Sequence, residues 1–109
     1  MKMRRGDTAR FSFKRRDKND NVITVKADKL YFTVKPNYYI NNFVLQKTID
    51  DMTFDEGKYT FTIEPNDTEL LEYGDYVYDI EVITNDYKKT ISIGDFIINE
   101  EVTFKVNED

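Results

Sequence analysis

The feature that most constrains this chain is an alternation of apolar and polar residues with a period of two. Five runs show it, with these apolar members: Phe11 and Phe13; Leu30, Phe32 and Val34; Tyr59, Phe61 and Ile63; Tyr76, Tyr78, Ile80 and Val82; Val102, Phe104 and Val106. Successive side chains on a β-strand point to opposite faces, so each run buries one face and exposes the other. The sequence therefore predicts an antiparallel all-β protein.

Weaker strand patterns lie between these runs. We expect short strands at Val22–Lys26, at Phe43–Ile49 (where Lys47 breaks the alternation), at Tyr87–Ile93 with Ile91 and Ile93 inward, and at Phe96–Ile98. Turn-forming residues separate the strands at 17–21, 55–57, 74–75, 85–86 and 94–95. About seven to nine short strands spaced by turns predict a β-sandwich of two sheets. The tyrosine-corner pattern at Tyr76, described below, favours an immunoglobulin-like sandwich over a barrel.

The chain length predicts a single domain over residues 1–109. A chain of 109 residues can bury one self-sufficient core, and its eight Phe and eight Tyr supply large apolar side chains for it. Residues 1–6 and 107–109 have no clear strand pattern, so we expect both segments to be frayed.

One segment departs from the period of two. Residues 66–72 predict a single helical turn, with Asn66 or Asp67 as the N-cap. Tyr76 then enters a strand soon after Leu70 and Gly74, which is the sequence pattern of a tyrosine corner. In such a corner the phenol hydrogen-bonds back to the preceding loop and fixes the crossover between the sheets. The alternative is that Tyr76 is one more inward-facing aromatic residue.

The residues needed for common enzyme chemistry are scarce. The chain has no His and no Cys, which excludes a His-based triad and thiol chemistry. The carboxylates Asp50, Asp51, Asp55 and Glu56 cluster in one stretch, but adjacent acids in a turn are usually solvated. We therefore expect no catalytic residues, no cofactor and no enzymatic activity.

Two loops are candidates for binding. Asp17, Asn19 and Asn21 place oxygen ligands at alternate positions, as a calcium loop begins, but the expected glycine and closing glutamate are absent. A hairpin loop is the better interpretation, and we expect no bound metal.

The second loop has the sequence PNYYINN. Its Tyr38, Tyr39, Asn41 and Asn42 are the candidate partner contacts, because Tyr supplies contact area at low entropic cost. A packed loop is an equal alternative.

The charge is unevenly distributed along the chain. Residues 1–35 hold 11 Lys and Arg against 4 Asp and Glu, a net charge of +7, whereas residues 36–109 hold 5 against 17, a net charge of −12. A basic third can indicate nucleic-acid contact, but the whole protein is acidic and its cations alternate with core residues. We expect these cations on solvent-facing sides of strands and no nucleic-acid partner. No apolar run approaches the roughly 20 residues of a membrane helix, so we expect no membrane partner.

Five segments in order carry a resemblance to a known family: RGDTARFSF, ADKLYFTVK, VLQKTID, YTFTIEPNDTELLEYGDYVYDIEV and KKTISIGDFIINEEVT. Together, over residues 4–104, they resemble the amino-terminal domain of phage baseplate upper proteins and related small prophage proteins. Asp67, Thr68, Leu70, Gly74, Tyr76, Tyr78, Asp79 and Ile80 match one stretch of the family pattern, and Thr90, Gly94, Phe96, Val102 and Thr103 match another.

The resemblance implies a non-enzymatic phage or prophage structural protein whose immunoglobulin-like domain docks into a tail or baseplate. It implies other tail proteins as partners, with a possible homo-oligomer, and synthesis in the cytoplasm followed by incorporation into the virion. Family members usually carry a longer stalk after this domain. Because the sequence ends at Asp109, we expect a stand-alone accessory protein or an isolated attachment module. The alternative function is a carbohydrate-binding module that contacts cell-wall polysaccharide through Tyr38 and Tyr39.

Overall fold

The computed structural model describes residues 1–85 and 87–100, which form eight strands and two short helical turns. The strands are β1 (Lys2–Arg4), β2 (Ala9–Lys14), β3 (Lys29–Lys35), β4 (Leu45–Thr48), β5 (Met52–Asp55), β6 (Lys58–Ile63), β7 (Gly74–Thr84) and β8 (Tyr87–Asn99). A 3-10 turn spans Ile49–Asp51 and the helix α1 spans Pro65–Thr68. No helix within these ranges is long and apolar enough to cross a membrane.

The strands form two sheets that face each other. One has five strands in the order β1-β8-β7-β3-β4, and the other has three in the order β2-β6-β5. The orders β8-β7-β3-β4 and β2-β6-β5 correspond to the G-F-C-C′ and B-E-D orders of immunoglobulin sandwiches. The predicted fold class is confirmed. Pairing is antiparallel except that β1 runs parallel to β8.

The core fills the space between the sheets with apolar members of the alternating runs and of the weaker segment Phe96–Ile98. Its least exposed side chains are Leu30, Phe32, Val34, Tyr59, Phe61, Ile63, Phe96 and Ile98. The rings of Phe32 and Phe61 join the sheets at a centroid distance of 4.6 Å. Such aromatic contacts add about 0.5–1.5 kcal/mol to the stabilisation that comes from burial.

The predicted turn between β5 and β6 has the local geometry that its residues favour. Glu56 and Gly57 connect β5 to β6 with φ angles of 48° and 90°. Positive φ at both central residues is typical of the type I′ turn that suits a two-residue hairpin.

At the next crossover α1 begins after Glu64, so the N-cap is Glu64 and the predicted N-cap, Asn66 or Asp67, is wrong. Asp67 instead accepts a hydrogen bond from the Glu64 backbone N–H at 2.7 Å.

Tyr87–Asn99 forms one continuous strand, β8, where the sequence had predicted two. β8 continues through Gly94 and Asp95, which form no turn. A β-bulge shifts its register against β7 between the partners of Ile80 and Glu81. The extra residue reverses which side chains face inward. As a result Ile91 packs against the core, but Ile93 is exposed, contrary to the prediction.

Two further predictions about the chain were wrong. Residues 1–6 are not frayed, because β1 pairs with β8 and Met3 is buried in the core. Val22–Lys26 contributes one isolated bridge, between Val22 and Arg16, where a strand had been expected. The strand predicted at Val102–Val106 and the fraying predicted at 107–109 lie outside the described residues.

Candidate functional site

The loop between β3 and β4 contains the predicted contact residues and is strongly exposed. Tyr39 is 96% exposed, Tyr38 54% and Phe43 52%. Ile40 is also exposed, as are Asn41 and Asn42. We call Tyr38, Tyr39, Ile40 and Phe43 the loop patch. Single exposed apolar residues are ordinary, but four within six positions form a surface that can exclude water against a partner.

Hydrogen bonds hold this loop in place. The Asn37 side-chain oxygen accepts the Tyr39 N–H at 2.9 Å, which forms a local turn. The Tyr38 hydroxyl donates to the Gly94 carbonyl on β8 at 3.3 Å, and the Val44 N–H donates to the Val34 carbonyl at 2.8 Å. The loop is therefore partly ordered before any partner arrives, which lowers the entropic cost of binding.

The clustered carboxylates lie at the surface. Asp50, Asp51, Asp55 and Glu56 are all exposed, in the 3-10 turn and the β5–β6 hairpin. The Asp51 carboxylate accepts a hydrogen bond from the Thr48 N–H at 2.8 Å, and so satisfies a backbone donor at the start of the turn. This hydrogen bond gives Asp51 a local structural role.

The loop of Asp17, Asn19 and Asn21 is a hairpin, as the better of the two interpretations predicted. The Asp17 Oδ1 accepts backbone N–H groups of Asn19 and Asn21 at 2.9 and 3.0 Å. The Asp17 N–H in turn donates to the Asn21 carbonyl at 2.9 Å. Over the described ranges, no group of three or more acids could hold a metal ion.

Two acids on the outer face of the five-stranded sheet have charged neighbours. Asp79 and Glu81 lie on the central strand β7, and both are half-buried. Burial raises the pKa of Asp79, the nearby Glu81 raises it further, and Lys35 and Lys88 oppose the shift. Lys88 pairs with Glu81 at 3.6 Å. Alternation with Ile80 and Val82 places both acids on the outward face, but this pattern gives no sign of their partial burial.

Tyr76 makes the hydrogen bond that a tyrosine corner requires. Its hydroxyl donates to the Glu72 carbonyl at 2.8 Å, directly before β7 begins at Gly74 with φ 137°. Burial raises the pKa of Tyr76, and the Glu72 carboxylate adds to the shift. Leu70, which had been assigned to the corner, is 92% exposed, and Leu71 packs against the core instead.

The same crossover is tied to the start of the chain. The Arg5 guanidinium lies 4.2 Å from the Tyr73 ring centroid, and its Nη2 donates to the Tyr73 hydroxyl at 2.8 Å. The Gly6 N–H donates to the buried Thr68 hydroxyl at 2.9 Å. Sequence reasoning missed these contacts because no local pattern links residues more than 60 positions apart.

Comparison with family models, with curated proteins and with solved structures found no match in any of the three.

Proposed function

We propose that this protein is a non-enzymatic structural component of a bacteriophage or prophage, which attaches within the tail or baseplate through protein–protein contacts. The observation that supports it is the loop patch, an exposed group of aromatic and aliphatic side chains on a hydrogen-bonded loop. Tyr and Phe are the side chains that supply most of the binding energy when a partner surface covers them.

The family resemblance points to other tail or baseplate proteins of the assembled virion as the partners. The exposure of the clustered acids supports a role without catalysis, since catalytic carboxylates usually lie in a pocket that shields them from bulk water. The Asp51 carboxylate accepts a hydrogen bond from a backbone N–H, and the side chains of Asp50, Asp55 and Glu56 are exposed to solvent.

Purification of phage particles tests the proposal. In particles induced from a strain that carries the gene, the protein should sediment with the tails. A Tyr39→Ser/Phe43→Ser variant should lose most of this association, whereas Leu70→Ser, which also removes a strongly exposed apolar side chain, should retain it. Recovery of the unaltered protein only in the cytosolic fraction would contradict the proposal.

A second candidate function uses the same loop. Tyr38 and Tyr39 beside the exposed Asn41 and Asn42 offer ring faces and amide groups, the chemistry with which proteins bind sugars. Titration with cell-wall polysaccharide distinguishes the two. Specific binding that Tyr38→Ala and Tyr39→Ala abolish would favour a carbohydrate-binding module over the structural role.

A further inference from the structure

Over the residues that the structure describes, one side of the sandwich is open, because β2 has no neighbour on that side and β8 has one only along Ile97–Asn99. β2 lies at the edge of the three-stranded sheet. On the other sheet β1 covers β8 only at Ile97–Asn99, with Met1 hydrogen-bonded to Asp95 and Ile97. Within the described part of the chain, no strand pairs with the outer edge of β8 from Tyr87 to Ile93. A free edge presents unpaired N–H and C=O groups that an incoming strand can use.

Two adjoining cavities lie along this open side, with volumes of about 540 and 330 Å³. Both are lined by Arg15, Arg16, Lys89 and Ile91. We call the two together the edge groove. Its floor is apolar, formed by the buried Ile80 and Val82 and the half-buried Phe13 and Ile91, and its rim is formed by Lys14, Arg15, Arg16, Lys18 and Lys89.

The rim is strongly basic. Of the residues lining the groove, Asp17 is the single acid, and its carboxylate already accepts two backbone N–H groups. Arg16 lies 3.8 Å from Asp20, but Lys14, Lys18 and Lys89 have no ion-pair partner among residues 1–85 and 87–100. The groove is therefore complementary to a negatively charged occupant, although the protein as a whole is acidic.

The smaller cavity also has hydrogen-bonding groups that are not satisfied. The Arg15 Nε and the Thr84 Oγ1 belong to residues of its wall, are buried, and make no hydrogen bond to any described residue. An unsatisfied buried polar group costs about 1–3 kcal/mol. A polar group brought in here by a ligand would reduce this cost.

We propose that the edge groove binds an extended, acidic segment of a partner protein. The segment adds as a strand to the free edge of β8, places alternate apolar side chains on the floor, and presents its carboxylates to Lys14, Arg15, Arg16, Lys18 and Lys89. Main-chain hydrogen bonds supply affinity in this mode, and the alternate side chains supply specificity. A strand of about five to ten residues has the length to follow the groove.

None of the residues that line the edge groove belongs to the loop patch. Lys35, after which the loop begins, pairs with Val77 near the start of β7, whereas the smaller cavity is lined by Thr84 at its end. The inference does not depend on the proposed function, and the loop variant Tyr39→Ser/Phe43→Ser should leave binding at the groove unchanged.

Titration of the full chain with synthetic peptides tests the inference. The probe is a peptide of about ten residues with Val at alternate positions and Glu or Thr between them. Binding should be lost with a scrambled peptide of equal charge and with a peptide whose central residue is Pro, which cannot donate to the ladder. Amide exchange at Lys89–Ile93 should slow at least tenfold when the first peptide is bound.

Charge variants provide the matched control. Lys89→Glu should weaken peptide binding at least tenfold, and Lys29→Glu, an exposed lysine that lines a different cavity, should change it less than twofold. Circular dichroism checks that both variants are folded. Equal binding of the scrambled peptide would overturn strand addition. Absence of peptide binding, together with a self-association that Lys89→Glu abolishes, would show that a second copy of the chain occupies the groove instead.

Discussion

At the scale of single residues, the hydroxyl of Tyr76 shows how one polar atom can fix a crossover between sheets. The chain leaves β6, turns through α1 and enters β7, and the hydroxyl closes the last step by bonding the Glu72 carbonyl. Without it the segment before Gly74 would have a free carbonyl and fewer restraints.

Tyr76→Phe tests the contribution of that hydrogen bond. The ring stays, so burial is kept and the loss should be about 1 kcal/mol of unfolding free energy. Urea denaturation should show a lower midpoint with an unchanged slope. Tyr39→Phe is the matched control, because its ring is almost fully exposed and its stability should not change. Equal effects of the two substitutions would contradict a tyrosine corner.

Gly94→Ala tests a close contact in the five-stranded sheet. A Cβ at this position would lie 2.9 Å from Cε1 of Tyr78, whose ring is held against Phe32 at a centroid distance of 5.7 Å. We expect a loss of about 1–3 kcal/mol from overpacking. In a double-mutant cycle measured by thermal unfolding, Tyr78→Ala should remove most of the Gly94→Ala penalty. Strictly additive effects would show that the ring is not the obstacle.

Asp79 should make stability depend on pH. Its pKa is raised in the folded state, so the native protein binds a proton more readily than the unfolded chain does. Its contribution to stability is therefore lost as the pH rises through the folded-state pKa, and is restored as the pH falls below it.

Asp79→Asn should accordingly stabilise the protein at pH 7, by less than about 1 kcal/mol because the site is partly solvated. The advantage over the unaltered protein should shrink as urea titrations are repeated towards pH 4. Asp75→Asn, an exposed acid on the same strand, controls for the change in net charge. An equal gain from both variants would indicate a general effect of charge.

At the scale of elements, an ion pair with Asp67 accounts for the presence of Lys47 in β4. It breaks the alternation of β4, yet its ammonium lies 2.8 Å from the Asp67 carboxylate on α1, and both side chains are largely buried. The pair connects the edge of the five-stranded sheet to the crossover helix. A lone lysine at this inward position would carry an uncompensated charge.

A set of variants separates the attraction between Lys47 and Asp67 from the cost of burying their two charges. Asp67→Asn should cost about 1–3 kcal/mol in urea unfolding, since it leaves Lys47 without its partner. The double variant Lys47→Met/Asp67→Asn should recover most of that loss, because an apolar side chain of similar length suits the site. A double variant less stable than Asp67→Asn would contradict this account.

The sequence predicted those elements whose alternation is uninterrupted. The strands β2, β3, β6 and β7 could be predicted because no extra residue interrupts the alternation of apolar and polar side chains around Phe11, Phe32, Phe61 and Ile80. Ile93 was assigned wrongly because a bulge is set by pairing with β7 and leaves no local pattern. Similarly, Met3 sits in a strand of three residues that depends on β8 as a partner.

The candidate sites divide in the same way. Only part of the loop patch could be predicted. Tyr38 and Tyr39 stand between turn-forming residues, but Phe43 was assigned wrongly to a strand and is an exposed residue of the loop, because β4 begins only at Leu45. The edge groove could not, because Arg15 and Lys89 come from distant parts of the chain, and only the order of strands brings them to one opening.

At the scale of the whole molecule, the fold places one acidic segment and one basic segment at opposite ends of β2. Residues 64–75 contain five acids and no base, and residues 14–18 contain four bases and one acid. Ala9 pairs with Ile63 and Lys14 with Lys58, so the basic segment lies at the other end of β2 from α1. The molecule is 54 Å long, several times the Debye length of about 8 Å at physiological salt.

Head-to-tail association should therefore be measurable at low salt. Sedimentation velocity should show a mass that increases with concentration at about 20 mM salt and a monomer at about 500 mM, where the charges are screened. Glu69→Lys/Glu72→Lys should abolish the effect at low salt. A monomer at every salt concentration would count against self-association, but not against docking to other proteins.

The parallel contact of β1 with β8 has a mechanical consequence. Met1 bonds Asp95 and Ile97 at one end of this contact, and the Arg5 N–H donates to the Asn99 carbonyl at the other. Tension applied through Met1 and Asn99 would pull the two strands lengthwise past each other. All of these hydrogen bonds would then bear the force together in shear, because none of them can break ahead of the others by peeling. The domain should therefore resist a force that pulls Met1 and Asn99 apart along the strands.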